Sequence, residues 1–300
     1  MVNNQQKISI IICSREVNIN QELRENIENT IEYPHEFIII DNSENKYSIF
    51  EAYNLGIKKS VGEYLCFLHD DIVFHTIGWG KIINLIFSTN SKIGVIGVAG
   101  SKIKTKSPSG WWNCPDDLKE INILQHLKNK NIEKWSYGFK QENLSSVAVI
   151  DGVFMAVRRD DTIFFNTKLD GFHNYDLNIS LEYKIKGYEI VVTSEILLEH
   201  FSIGTINKSW VESTLKIHNI YKKKLPLNAS NSVNNFDIDA LEQKNMEIFI
   251  CQLLDFGFIF KALFFWFKWI LVKPLSNFHF LFLKKIIFKI IKKIKTGTFL

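Results

Sequence analysis

Apolar residues in the first hundred positions come in short runs that each stop at polar side chains. Ile8, Ile10, Ile11 and Ile12 lead into Cys13-Ser14-Arg15, residues 37–40 end at Asp41-Asn42-Ser43, and residues 64–68 stop at His69-Asp70-Asp71. Runs of this length, bounded by turn-forming residues, predict buried strands. Between them Leu23, Ile27 and Ile31 are spaced by four, which predicts a helix over 21–32. Further helices are expected over 49–59 and 79–87, and a fourth strand over 93–98. Alternating strands and helices predict an α/β fold, a mostly parallel Rossmann-like sheet flanked by helices, with ligands beyond the C-terminal strand ends.

Residues 99–144 lose this rhythm. They carry Gly110-Trp111-Trp112-Asn113-Cys114-Pro115 and read as a long functional lid or binding loop. Strand character returns over 147–158, an amphipathic helix is expected over 175–186 before Gly187, and strands over 189–193 and 196–200. Residues 226–246 are polar and read as a linker between a domain at 1–225 and a tail at 247–300. In the tail, residues 248–272 are apolar apart from Asp255, Lys261 and Lys268. Those charges disfavour a membrane span, so an in-plane helix is expected. Over 283–295 the lysines fall on one half of a helical wheel and nearly all the isoleucines on the other, the pattern of a cationic interfacial helix on an anionic membrane surface. The alternative is a helical arm docked on its own domain or on a second subunit.

Composition narrows the functional classes. With 300 residues, 46% of them hydrophobic, the chain can fill a sizeable core. The formal charge of +4 is small and its excess sits at the C-terminal end, which argues against a general nucleic-acid binder. Cys13, Cys66, Cys114 and Cys251 are far apart and form no C-x-x-C pair, so neither a zinc knuckle nor a disulfide framework is expected. The polar residues 1–7 contain no signal-peptide-like apolar region, and a cytoplasmic protein, peripheral on the inner face of the cell membrane, is the expectation.

The strand end His69-Asp70-Asp71 offers three metal-competent side chains. Together with residues 8–15, 37–42, Asn54-Leu55-Gly56-Ile57, Gly62 to Asp71, Asp151 to Arg159, Leu169 to Leu181 and Leu198 to Ser202, it resembles, motif by motif and in order, the family-2-like glycosyltransferases of the GT-A fold. The match is closest to the StrF-like branch, which carries His-x-Asp where most relatives carry Asp-x-Asp. The resemblance implies transfer of a sugar, with inversion, from a nucleotide diphosphate sugar to an acceptor hydroxyl in surface polysaccharide or glycolipid synthesis. A divalent cation, Mn²⁺ or Mg²⁺, would neutralise the diphosphate leaving group, and Mn²⁺ tolerates imidazole as a ligand.

The same resemblance implies roles. Asp71 is the first metal ligand, His69 ligates the metal or contacts the nucleotide, and His200 completes the metal shell. Ser14, Arg15, Asp41, Asn54, His69, Asp70 and Asp151 surround the donor, with Asp70 expected on the opposite side of the strand end from its neighbours. Asp176 is the catalytic base, although a helix N-terminus would lower its pKa. Trp111 or Trp112, with His173, would meet the acceptor, a glycan or glycolipid. Two other classes stay open: a nucleotidyltransferase, for which Cys13-Ser14-Arg15-Glu16 lacks the usual Gly- and Lys/Arg-rich loop, and a catalytically inactive, membrane-docked nucleotide-sugar-binding module.

Overall fold

A computed structural model describes residues 7–129, 131–140, 142–229 and 237–296, apart from the side chains of 290 and 292–296. The chain divides into two compact units, residues 1–106 with 110–236, and residues 107–109 with 237–300.

The first unit begins with strands β1 (Ile8–Ser14), β2 (His35–Asp41), β3 (Tyr64–Leu68), β4 (Ile72–Phe74) and β5 (Ile93–Gly97). Helices α1 (Gln21–Thr30), α2 (Ile49–Lys59) and α3 (Trp79–Thr89) lie between them in sequence, close to expectation. The short strands β6 (Ala99–Ser101) and β7 (Ile103–Lys104) precede β8 (Lys119–His126), β9 (Ile132–Tyr137), β10 (Leu144–Val147), β11 (Val149–Ile150) and β12 (Phe154–Arg158). The unit closes with α4 (Tyr175–Ile185), β13 (Glu189–Thr193), β14 (Leu198–His200), α5 (Lys208–Tyr221) and β15 (Leu227–Asn228).

Seven strands form the main sheet, in the order β10-β13-β5-β12-β3-β1-β2. Its β1–β2, β1–β3 and β13–β5 pairings are parallel and only β10 and β12 run antiparallel to their neighbours, so five of the seven strands point the same way and the sheet is mixed but mostly parallel, as expected. Strand alternation sends Ile8, Ile10 and Ile12 of β1 into one core and Ile11 into the other, and β3 divides Tyr64, Cys66 and Leu68 from Leu65 and Phe67 in the same way. A sheet covered on both faces explains why these strands read as continuous apolar runs. A Cβ on Gly56 would lie 2.3 Å from Ile11 Cγ2, so this glycine lets α2 lie close on the sheet. Two residues earlier, Asn54 donates from Nδ2 to Phe165 O (2.8 Å) and accepts Phe165 N–H at Oδ1 (2.9 Å).

Part of the expected lid over 99–144 instead supplies β6, β8 and β9 to a second sheet, β11-β6-β8-β14-β4, with β9 paired to β8. Ile121 and Ile123 point into the core on alternate positions of β8, a two-residue period that the Trp-bearing segment before it hides. The expected strand over 147–158 is likewise broken into the end of β10, β11 and β12.

In the second unit, α6 (Ile238–Asp255) starts inside the expected linker, while residues 230–236 of that linker lie outside the described residues. The apolar stretch 248–272 is not one helix. Gly257, with φ 87°, separates α6 from α7 (Ile259–Val272), and α8 (Phe278–Thr296) follows. Trp266 packs on Phe282, and Glu247 Oε1 accepts from Ser276 Oγ at 3.0 Å. Lys285 and Lys289 both pair with Asp255, at 2.5 and 3.0 Å, so two lysines of the expected lipid-facing set serve the fold; Lys292 and Lys293 have side chains outside the described set. Beside exposed Lys261, Lys268 and Lys284, α7 and α8 expose apolar side chains: Phe260, Phe264, Phe267 and Leu271 recur at helical spacing on one, Phe280, Ile287, Phe288 and Ile291 on the other. No helix among the described residues is long and apolar enough to cross a membrane.

Candidate active site

Strand register brings the candidate residues to one end of the first unit. Ser14 pairs with Asp41 across β1 and β2, Phe154 with Leu68 across β12 and β3, and His200 with Ile72 across β14 and β4. Phe201 N–H donates to Asp71 O (3.1 Å), which locks the end of β14 beside the His69–Asp71 turn.

His69, Asp71 and His200 converge. His69 Nδ1 lies 3.3 Å from His200 Nε2 and 3.5 Å from Asp71 Oδ1, and His200 Nε2 lies 3.6 Å from the same oxygen. A triangle with these sides has a point about 2 Å from each corner, the length of a metal–nitrogen or metal–oxygen bond. The donor set therefore fits a single divalent ion, and two imidazoles with one carboxylate suit Mn²⁺ better than the all-oxygen preference of Mg²⁺. Burial pushes the Asp71 carboxyl up, but hydrogen bonds from His69 and Ser202 outweigh it and hold the pKa at about 2. Burial lowers the His69 imidazole, yet the hydrogen bond and charge of Asp71 raise it overall. For His200, burial and then the charge of His69 bring the pKa down.

Two residues without a sequence-derived role hold the histidines. Tyr175 Oη lies 2.5 Å from His69 Nε2, and Gln125 Oε1 lies 3.0 Å from His200 Nδ1. Gly152 makes room for the first contact, because a Cβ there would sit 2.4 Å from Tyr175 Oη. Tyr175 lies within the Leu169 to Leu181 motif, and Gln125 continues the alternation after Ile121 and Ile123, so each carries a faint signal in the sequence.

Asp176 opens α4. Its Oδ1 accepts the Leu177 N–H (2.8 Å), but the expected lowering of its pKa is overturned: burial and then the charge of Asp151 push it up to about 7. Asp151 is held from both sides, Oδ1 accepting Val153 N–H (2.8 Å) and Oδ2 accepting Trp111 Nε1–H (2.7 Å). The two tryptophan rings, expected to point apart, instead meet edge to face with centroids 6.0 Å apart. Trp111 is fixed toward Asp151, while Trp112 rests near Trp210 of α5, with ring centroids 5.9 Å apart, and stays partly exposed. His173 Nε2 lies 3.1 Å from Ser209 Oγ, and burial lowers its pKa.

Around the rim formed by the ends of β1, β2 and β3 the candidates divide. Asp70 turns away from the metal triad and pairs with Arg15 at 3.1 Å. Asp41 is exposed, its Oδ1 accepting both Ser43 N–H and Ser43 Oγ–H, which lowers its pKa. Ser14 is buried and its Oγ accepts Glu16 N–H (3.1 Å), shaping the turn. Asn54 is buried, with both ends of its amide on the Phe165 backbone.

This sheet arrangement, with an acidic and imidazole cluster at the strand ends, defines an α/β protein of GT-A type. Residues 9–227 match the glycosyltransferase-like family, and the chain belongs to it. No curated protein matches the sequence significantly. Among solved structures, the chain is similar to the mannosyltransferase PcManGT from Pyrobaculum calidifontis in complex with GDP-Man and Mn²⁺, at TM-score 0.51 and 11% identity over 99% of this chain and 84% of that one. Lower scores link it to GalNAc-T7 with UDP, GalNAc and Mn²⁺ (0.48, 11% identity, 82% of this chain and 55% of that one) and to A197 from STIV (0.39, 14% identity, 66% and 86%).

Proposed function

We propose that the protein is a metal-dependent, inverting glycosyltransferase that moves a sugar from a nucleotide diphosphate sugar to a glycan or glycolipid hydroxyl, as in surface polysaccharide or glycolipid synthesis. The observation that carries this reading is the convergence of His69, Asp71 and His200 within the bounds of the family match. Mn²⁺ bound by these three residues would supply charge stabilisation to the departing diphosphate. Arg15, held by Asp70, and Asp41 lie on the rim where the nucleotide would bind. Asp176, with a pKa of about 7, is poised to accept the proton of the acceptor hydroxyl at neutral pH. Asp151 raises that pKa by its charge while orienting Trp111. The partly exposed ring of Trp112 offers an apolar face to an acceptor sugar. The His-x-Asp spacing of His69 and Asp71 keeps the StrF-like branch as the favoured relationship. A thermal-shift screen of UDP-, GDP-, CMP- and dTDP-sugars with and without Mn²⁺ tests the proposal. One donor class should stabilise the protein only with Mn²⁺; no stabilisation by any donor would contradict it.

We also propose that the second unit seats the protein peripherally on the cytoplasmic face of an anionic membrane. Residues 256–300 contain nine lysines and no Asp or Glu, whereas the whole chain carries only +4. Phe260 and Leu271 are 82% and 85% exposed beside these charges, a combination that suits insertion among acyl chains under anionic headgroups. The free thiols Cys13, Cys66, Cys114 and Cys251 are compatible with a reducing compartment. In vesicle flotation, the protein should rise with phosphatidylglycerol-containing vesicles, and Phe264→Ser/Phe267→Ser/Phe288→Ser should stay behind. Equal flotation of both proteins, or a dimer that ignores vesicles, would refute the membrane role.

A further inference from the structure

We infer that Gln125 is a positioning residue that fixes the tautomer of His200 and so pre-sets the metal site; the inference rests on the metal reading above. Gln125 is 4% exposed and lies opposite His200 in the parallel pairing of β8 with β14. Its Nε2 faces three carbonyl oxygens, those of His126 (3.0 Å), His200 (3.2 Å) and Ser202 (2.8 Å). Carbonyl oxygens only accept, so the amide nitrogen must be on that side and Oε1 on the other. Oε1 then faces His200 Nδ1 at 3.0 Å and can only accept from it. In the neutral ring the proton therefore sits on Nδ1, and the Nε2 lone pair is turned toward His69 and Asp71.

His69 is held differently. Its outer nitrogen, Nε2, meets Tyr175 Oη, a hydroxyl that both donates and accepts and so does not dictate a tautomer. The asymmetry singles out Gln125. Buried, with every polar atom of its amide engaged, it ties three backbone carbonyls of the 126–202 region to one imidazole orientation. A metal ion entering the site would find His200 already in the ligating form, and outer partners of this kind are typically worth about 10- to 100-fold in metal affinity.

Two measurements test the inference. In the metal-free wild-type protein, imidazole ¹⁵N chemical shifts, assigned by their loss in His200→Asn, should report His200 with its proton on Nδ1. An Nε2-protonated ring would overturn the inference outright, whatever the metal does. Mn²⁺ binding, followed by electron paramagnetic resonance of the free ion, should weaken roughly 10- to 100-fold in Gln125→Met, which matches the side chain in length but not in polarity. Gln125→Glu keeps an acceptor for Nδ1–H and should bind Mn²⁺ within a few-fold of wild type despite a lower Tm. Equal Mn²⁺ affinity in all three proteins would overturn the positioning role. If the wild type binds no Mn²⁺ at all, the metal reading fails while the tautomer measurement still decides the role of Gln125; the same measurement decides it if Gln125→Met does not fold.

Discussion

The two sheets of the first unit hold their share of the site by different means. In the seven-stranded sheet, β3 is buried over its whole length and helices cover both faces, so the strand end that carries His69 is set by packing. The second sheet has the largely exposed β9 at its side, and it places His200 through polar contacts. There, Asn122 Nδ2 donates to Ser194 O (2.7 Å), Gln125 spans three carbonyls, and Glu199 accepts from His75 and His126. The difference teaches where sensitivity lies. Changes around the first sheet should register mainly as lost stability, and changes around the second mainly as lost orientation at an intact fold.

The largest effect is expected at Asp176 on α4, whose charge neighbour Asp151 links β11 of one sheet to β12 of the other. Asp176→Asn should retain donor and Mn²⁺ binding but lower turnover by roughly 10²-fold or more, the scale of a lost general base. In the wild type, turnover should rise as pH increases through about 7, since the base works when deprotonated. The stability sign is opposite. A carboxyl whose folded pKa lies above its unfolded value binds its proton more tightly when folded, so its stabilising contribution is complete below pH 3.8 and is lost as pH rises through about 7. Asp176→Asn should consequently raise Tm at pH 8 in the metal-free protein, and a variant that keeps near-normal turnover would return Asp176 to the role of a helix-terminal residue.

A more modest and sharper comparison sets one sheet's histidine against the other's. His69→Ala and His200→Ala should weaken Mn²⁺ binding to similar extents, at least about tenfold, because both point a ring nitrogen into the same triangle. Only His69→Ala also releases Tyr175. A His69→Ala protein with normal Mn²⁺ affinity would confine that residue to nucleotide contact. The smallest functional effect should come from Asn54→Ala. It breaks two buried hydrogen bonds and should cost about 1–3 kcal/mol of stability, leaving Mn²⁺ affinity unchanged.

The same contrast explains what could be read along the chain. His69, Asp70 and Asp71 adjoin a buried strand, and a run such as Tyr64 to Leu68 advertises both the strand and its end. Asp176 stood out because it opens a helix after a recognisable motif. The second sheet was hidden, since most of its strands are only two or three residues long, about half of their side chains are polar, and their pairing joins Ile72, Gln125 and His200 across long stretches of chain. The raised pKa of Asp176 was hidden too, because it depends on Asp151 and on burial, which a local helix-dipole argument omits. The surroundings of Asn54 were hidden for a related reason. Its Asn-x-Gly context is explained by Gly56 against Ile11 and by the Phe165 backbone, neither of which is near in sequence.

The central claim is that His69, Asp71 and His200 hold one divalent ion that in turn holds the donor diphosphate. It is tested most directly by calorimetric titration of a nucleoside diphosphate into wild type and Asp71→Ala, each with and without Mn²⁺, after folding of the variant is checked by its thermal transition. The account predicts that Mn²⁺ strengthens nucleotide binding to the wild type by at least tenfold and has no effect on Asp71→Ala, because the carboxylate held at about pKa 2 is the anionic anchor of the site. Equal, Mn²⁺-dependent binding by the folded Asp71→Ala protein would contradict it.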